Sequence, residues 1–119
     1  MQDKGPLYVI SVASRLLALH PQTLRKYERA GFVAPSRTDG NLRLYSPEDL
    51  ALLRQVKHLV DERGVNLAGV ELALTVTRLA EQVLDMAEHE PNTAKLRRDM
   101  QETATRMLRT LGRVTSSES

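Results

Sequence analysis

Apolar residues recur at helical spacing near the start of the chain. An apolar stripe covers residues 12–19, and Pro21 must end it because a residue that precedes proline avoids helical geometry. Pro21 suits the first turn of a second helix over residues 22–30, and Gly31 can adopt the left-handed conformation that ends it. The pattern therefore predicts two short helices that meet at a tight turn around His20, which is helix-turn-helix geometry.

The residues in and around this stripe also predict a helix cap and part of the core. Ser11 directly precedes the stripe, so we expect its hydroxyl to cap the first helix by accepting a hydrogen bond from a backbone N–H. We assign four apolar residues to the core of this region: Leu16, Leu17, Leu24 and Phe32.

Residues 36–45 have the twofold spacing of β-strands. Leu42 and Leu44 alternate with polar neighbours, and residues 38–41 are typical of a turn, in which Gly40 is free to take a positive φ. The pattern predicts a β-hairpin directly after the two helices.

Helical spacing returns after the hairpin. Ser46 and Pro47 open a third helix, Gly64 ends it, and Asn66 caps a fourth. From there the apolar positions narrow to the spacing of a coiled-coil seam, whose members are Val76, Leu79, Val83 and Met86. A seam this short packs within one chain more often than it joins two chains, so both arrangements stay open at this point.

Pro91 interrupts the seam. Asn92 or Thr93 can restart a helix beyond it, and the last residues are polar and of low complexity. We expect a final helix followed by a disordered tail.

The composition of the chain excludes several classes of function. The chain has no cysteine, which excludes disulfides and thiolate metal sites, and its three histidines lack metal-ligand spacing, so we expect no cofactor and no metal. No residues pair a nucleophile with a base, so we expect no enzyme. No apolar run is long enough to span a membrane and no secretion signal is present, so we expect a cytoplasmic protein.

Positive charge is concentrated on the helix-turn-helix and hairpin. Residues 15–43 contain six basic and two acidic residues, a net charge of +4, whereas the whole chain carries +2. A local basic excess of this kind favours contact with nucleic-acid phosphates, although on charge alone it is also typical of a solvated surface.

Five short sequence blocks stand in order along residues 7–74. They read LYVISVA, HPQTLRKYE, PSRT, RLYS and GVNLAGV. Together they resemble the MerR family of transcription regulators, in its heat-shock repressor (HspR) branch. The resemblance implies a mainly α fold, a winged helix-turn-helix with a small β-hairpin wing and a C-terminal dimerisation helix.

The resemblance also implies a function. Such a protein represses chaperone and protease genes by binding an inverted repeat in double-stranded DNA as a homodimer, with the chaperone DnaK as co-repressor. It would be cytoplasmic and associated with the nucleoid. The alternatives are another MerR-type regulator that acts by promoter distortion in response to an unknown signal, an architectural DNA-bending protein, and an adaptor that binds proteins through its long helices.

The predicted domains follow from these elements. We expect a flexible N-terminus at 1–6, a winged helix-turn-helix DNA-binding domain at 7–75, dimerisation and C-terminal helices at 76–112, and a disordered tail at 113–119. We assign the dimer interface to Val76, Leu79, Val83 and Met86.

The second helix of the helix-turn-helix carries the residues that we expect to read DNA. Gln22, Thr23 and Arg25 lie in its N-terminal half, which enters the major groove, where arginine can pair with guanine and glutamine with adenine. Lys26, Tyr27 and Arg29 are better placed for phosphates, although Tyr27 is also a candidate for the core and Arg29 for the helix dipole.

Further contacts are expected on either side of this helix. Arg37 and Arg43 flank the wing, and Arg15 on the first helix can touch a phosphate. Tyr45 is equally a candidate for the core and for a DNA contact. The backbone N–H groups at the start of the fourth helix can donate hydrogen bonds to another phosphate, which adds three residues: Leu67, Ala68 and Gly69.

Overall fold

The computed structural model describes residues 5–89, 93–111 and 113 of the 119-residue chain. Six of the elements lie before residue 58: β1 Tyr8–Val9, α1 Ile10–Leu17, α2 Pro21–Arg29, β2 Ser36–Arg37, β3 Arg43–Tyr45 and α3 Pro47–Lys57. A π-helical turn at His58–Glu62 and the helices α4 Leu67–His89 and α5 Ala94–Thr110 follow. The chain forms two compact units, Met1–Leu67 and Ala68–Ser119. The fold is mainly helical, as predicted.

Helix α1 begins at Ile10, two residues earlier than the apolar stripe suggested. Val9 is its N-cap, no side chain caps it, and Ser11 lies in its first turn, so the prediction of a Ser11 cap is wrong. The reason is that the chain passes directly from β1 into α1. Ala18 ends α1 in the left-handed conformation with φ 53°, which is unusual for a residue other than glycine.

Helix α2 has the predicted boundaries to within one residue. Pro21 occupies its first turn, and His20 is its N-cap, with the ring accepting a hydrogen bond from the backbone N–H of Gln22. Gly31, with φ 85°, takes the left-handed conformation just beyond its end. The two helices and their tight turn confirm the predicted helix-turn-helix.

The hairpin is confirmed, and a third strand joins it. β3 lies in the middle of the sheet, antiparallel to β2 on one side and to β1 on the other, with Arg37 opposite Arg43 and Tyr8 opposite Tyr45. β1 was not predicted because two residues are too few to display the twofold spacing of a strand.

The turn of the hairpin places its left-handed residue at Asn41 rather than at Gly40. Asn41 has φ 69°, which asparagine tolerates better than most side chains, whereas Gly40 has no positive φ. The backbone N–H of Thr38 donates to Leu42 O at 2.9 Å, and the Leu42 N–H donates to Thr38 Oγ1 at 3.1 Å. These bonds close the turn.

Helix α3 starts with a complete capping box. The backbone N–H of Asp49 donates to Ser46 Oγ, and the Asp49 carboxylate accepts from the backbone N–H of Ser46, with Pro47 in the first turn. At the other end, Lys57 Nζ donates to Leu17 O at 2.9 Å, which ties α3 to the last turn of α1. Gly64, which was predicted to end the third helix, lies beyond the π-helical turn and has φ 67°.

The core of the first unit lies among α1, α2, α3 and β3. Leu17, Leu24 and Phe32 are buried, as predicted, but Leu16 is 50% exposed, so its assignment to the core is wrong. The eight-residue helix α1 turns Ala13 and Leu17, four residues apart, toward the core, and Leu16 therefore faces outward.

The second unit contains α5 and all but the first residue of α4. Thr93 caps α5 by accepting from the Leu96 N–H, one of the two alternatives predicted for this start. Arg106 of α5 donates to Gln82 Oε1 of α4 at 3.2 Å. Pro91, residues 114–119 of the predicted disordered tail and residues 1–4 of the predicted flexible N-terminus lie outside the described residues. Among those described, no helix is both long and apolar enough to cross a membrane.

Candidate nucleic-acid interface

Helix α2 has one buried face and one polar face. Leu24 and Tyr27 are buried, Thr23 and Arg25 are half-buried, and the exposed side chains are Gln22, Lys26 and Arg29. The helix is therefore anchored by its apolar face and presents amide and cationic groups outward, which are the groups that pair with base edges and phosphates.

Two tyrosines that were candidates for DNA contact lie in the core. Tyr45 is fully buried, and Tyr27 is 4% exposed and packs on Phe32 with ring centroids 6.0 Å apart. Burial raises the pKa of both phenols, with smaller contributions from the negative charges of Asp61 near Tyr27 and Glu28 near Tyr45. Both side chains belong to the core, the alternative that the sequence had left open for them, and their burial corrects their assignment as contacts.

The wing arginines bind a carboxylate of α2. Arg37 Nη2 lies 2.9 Å from Glu28 Oε2, and Arg43 Nε lies 2.6 Å from Glu28 Oε1. The side chains of Arg37 and Arg43 retain exposures of 34% and 25%. The wing thus carries positive charge at the predicted positions, but both guanidinium groups already have a partner within the chain.

The charge state of Glu28 is fixed by this arrangement. Burial of the carboxyl group favours its neutral form, but the hydrogen bonds and positive charges of Arg43 and Arg37 outweigh burial and hold the pKa of Glu28 below its usual value. Glu28 therefore stays ionised and the two pairs stay intact at neutral pH.

The other predicted contacts lie on separate elements. Arg15 is exposed in the last turn of α1. Leu67, Ala68 and Gly69 form the first turn of α4, where Ala68 is exposed and its two neighbours are half-buried. Contact of these residues with phosphate stays a prediction.

Sequence reasoning missed Glu28 and Asn41. Glu28 is the one acidic residue in α2, between Arg25 and Arg29, and an acid in a helix expected to face DNA is itself a signal. No local pattern identifies its partners, because Arg37 and Arg43 follow on other elements.

The residues predicted to form a dimer seam differ in exposure. Leu79 is buried within the single chain, whereas Val76, Val83 and Met86 are half-buried. An open apolar groove of about 680 Å³ lies between α4 and α5, and Val83 lines it together with Ala80, Leu84, Met100, Ala104 and Met107. Among the described residues, no group of three or more potential ligands could hold a metal ion.

Known proteins resemble the chain over most of its length. A Streptomyces coelicolor protein named heat shock protein HspR is 44% identical over 107 residues, which cover 90% of this chain and 67% of that protein. The HTH-type transcriptional regulator GlnR of Bacillus anthracis is 33% identical over 105 residues, 88% of this chain and 73% of that regulator.

A solved structure shares the fold. The crystal structure of HiNmlR, a MerR family regulator lacking the sensor domain, bound to promoter DNA, superposes with a TM-score of 0.57 at 19% identity. The match covers 90% of this chain and 80% of that one.

The N-terminal part of the chain matches a family profile. The profile of MerR HTH family regulatory proteins matches residues 8–76, which include the helix-turn-helix, the wing, α3 and the start of α4. The family is one of regulatory proteins rather than of enzymes, and the Bacillus relative is named a transcriptional regulator. By the profile match and the identity to these relatives, the chain belongs to the MerR HTH family of DNA-binding transcription regulators.

Proposed function

We propose that this regulator is a repressor of heat-shock genes, namely those for chaperones and proteases, and that it acts in the cytoplasm at the nucleoid. The observation that carries the proposal is the 44% identity to the Streptomyces HspR protein across 90% of the chain. The aligned region extends beyond residues 8–76, which the family profile matches, so it includes most of the C-terminal helices.

Recognition would be divided between α2 and the elements beside it. Gln22, Thr23 and Arg25 would read base edges in the major groove, since the N-terminal half of such a helix enters it. Lys26 and Arg29, both exposed, would bind phosphates and set the register. Arg15 and the first turn of α4 at Leu67, Ala68 and Gly69 would add flanking phosphate contacts.

The repressor would bind an inverted repeat as a homodimer. One copy offers a single short reading helix, and two copies related by twofold symmetry would read two half-sites. The groove between α4 and α5 supports this, because its lining is almost wholly apolar and Leu84 is 64% exposed in the single chain. Val83 and Leu84 are the best placed of the α4 residues to meet a second copy.

The experiment measures binding to a duplex with an inverted repeat from a dnaK promoter against a scrambled duplex, over a series of salt concentrations. We expect a specific complex whose affinity falls steeply with salt. Binding to the repeat no tighter than to the scrambled duplex would refute the heat-shock assignment. Addition of DnaK to the same assay tests co-repression, for which we expect tighter operator binding.

A regulator that responds to another signal is the second candidate. The similarity to GlnR, at 33% identity over 88% of the chain, favours this candidate, because that alignment also extends into the C-terminal helices of this chain. Selection of bound fragments from the whole genome separates the two candidates. Recovery of chaperone and protease promoters supports the first, and recovery of an unrelated gene set supports the second.

A further inference from the structure

Glu28 places a negative charge on the helix that faces DNA. An acid near the phosphates weakens association, so its position on α2 calls for a compensating role. Its two carboxylate oxygens hold two arginines on two different strands, Arg37 of β2 and Arg43 of β3. One side chain of α2 therefore binds both strands of the wing.

The contact continues from the strands into the wing turn. Arg37 Nη1 donates to Asn41 O at 3.2 Å and lies 3.4 Å from Asn41 Oδ1, while its Nη2 binds Glu28. Asn41 is the residue that takes the left-handed conformation at the tip. A continuous path of charged hydrogen bonds thus runs from α2 to the residue that shapes the turn.

Shielding from solvent distinguishes this cluster from an ordinary surface ion pair. The Glu28 side chain is 22% exposed and lies near the fully buried Tyr45, the last residue of β3. Exposed pairs contribute little, but a partly buried carboxylate that accepts from two guanidinium groups is held more firmly. The cluster can therefore fix geometry.

We propose that Glu28 is a positioning residue that locks the wing to the reading helix, with Arg43 as the anchor and Arg37 as the link to the wing turn. The inference rests on the proposed contact of α2 and the wing with DNA. Both elements then meet the duplex as one rigid unit, and Arg43 contributes to affinity through Glu28 rather than as an independent phosphate contact.

The two possible roles of Glu28 predict opposite results. If Glu28 only screens the arginines, its neutralisation frees positive charge and strengthens binding to every duplex. If it positions the wing, neutralisation weakens binding to the specific duplex, because the wing no longer holds one orientation.

The experiment uses a duplex that the wild-type protein selects from a random pool, so that it does not depend on heat-shock promoters. We expect Glu28→Gln to bind the selected duplex roughly ten-fold more weakly, as for loss of a hydrogen bond to a charged group, and a scrambled duplex at least as well as wild type. Glu48→Gln, an exposed acid on α3, is the control for net charge and should leave the ratio unchanged. Equal strengthening on both duplexes would overturn the proposal.

Two further measurements keep the test decisive, and the first of them needs no DNA. The amides of Thr38 and Asn41 should exchange hydrogen with solvent roughly ten-fold faster in Glu28→Gln, while that of the buried Leu53 in α3 is unchanged. In a double-mutant cycle, Arg43→Gln should add no further loss of specific binding to Glu28→Gln. Unchanged wing exchange, or additive losses, would contradict the positioning role, whereas failure to select any duplex would count against the DNA-contact proposal alone.

Discussion

The ring nitrogen Nδ1 of His20 accepts a hydrogen bond from the backbone N–H of Gln22 at 3.0 Å. The bond satisfies one of the first N–H groups of α2, which have no partner within the helix, and it requires Nδ1 to be unprotonated. The ring therefore takes the tautomer that carries its proton on Nε2.

Replacement of this cap should destabilise the first unit. We expect His20→Ala to lower the free energy of unfolding by about 1 kcal/mol, the usual value of an N-cap, as measured by urea denaturation. His20→Asn should retain most of the stability, because its side-chain oxygen can accept the same bond. Equal losses in the two variants would show that the imidazole contributes by something other than capping.

The Glu28 pairs should make stability depend on pH in the acid range. The pKa of Glu28 in the folded protein lies below its usual value of 4.5, so the pairs stabilise the fold above that pH and the stabilisation is lost as the pH falls through the folded-state value. Wild type should exceed Glu28→Gln in stability by a constant margin at neutral pH. The margin should shrink below about pH 4.5, and a margin that does not change with pH would contradict the assignment.

The Tyr45 hydroxyl is buried without a hydrogen-bond partner among the described residues. Since a buried hydroxyl with no partner costs free energy, we expect Tyr45→Phe to raise the free energy of unfolding by about 1 kcal/mol. Tyr27→Phe is the matched control, since the Tyr27 hydroxyl is not enclosed in this way, and it should bring no gain. A loss of stability in Tyr45→Phe would mean that the hydroxyl is satisfied in solution.

The division of labour along α2 can be tested with two neighbouring residues. We expect Arg25→Ala to reduce discrimination between the selected and scrambled duplexes by about 1–3 kcal/mol, whereas Lys26→Ala should weaken both alike and lower the salt slope by about one. Titration of each variant at several salt concentrations measures both quantities. Identical behaviour of the two variants would show that the assignment of base and phosphate contacts is wrong.

Self-association should depend on Leu84. We expect Leu84→Lys to raise the dissociation constant of the dimer at least roughly ten-fold in sedimentation experiments, because it places a charge in an apolar contact. Leu72→Lys is the control, since Leu72 is 44% exposed on the same helix but does not line the groove. A wild-type protein that stays monomeric, or equal effects of both substitutions, would contradict dimerisation through the groove.

Much of the first unit could be predicted because its signals are local. Proline at the start of α2, the capping box of α3 and the twofold spacing of the hairpin each act within a few residues. β1 could not be predicted, since a strand of two residues is defined only by its partner β3. The left-handed residue at Asn41 rather than Gly40 depends on the closure of the turn by Thr38, which spacing alone does not reveal.

The exposed residues of the candidate binding surface were predicted, but the contacts that join α2 to the wing were not. The exposed residues of α2 follow from helical periodicity, which also places Leu24 inward. The burial of Tyr45 and the pairing of Glu28 with both wing arginines depend on how α2 packs against the sheet. Those contacts join residues that are distant along the chain, and a single sequence has no local pattern that records them.

The pairing of β1 with β3 sets an order for folding. Helices α1 and α2 are built from neighbouring residues and can form early, whereas the sheet must wait until the strand that carries Tyr45 meets the one that carries Tyr8. During synthesis, the reading helix therefore leaves the ribosome before the wing can be completed. An extension fused next to Tyr8 would therefore act on the closure of the sheet rather than on the formation of α1 and α2.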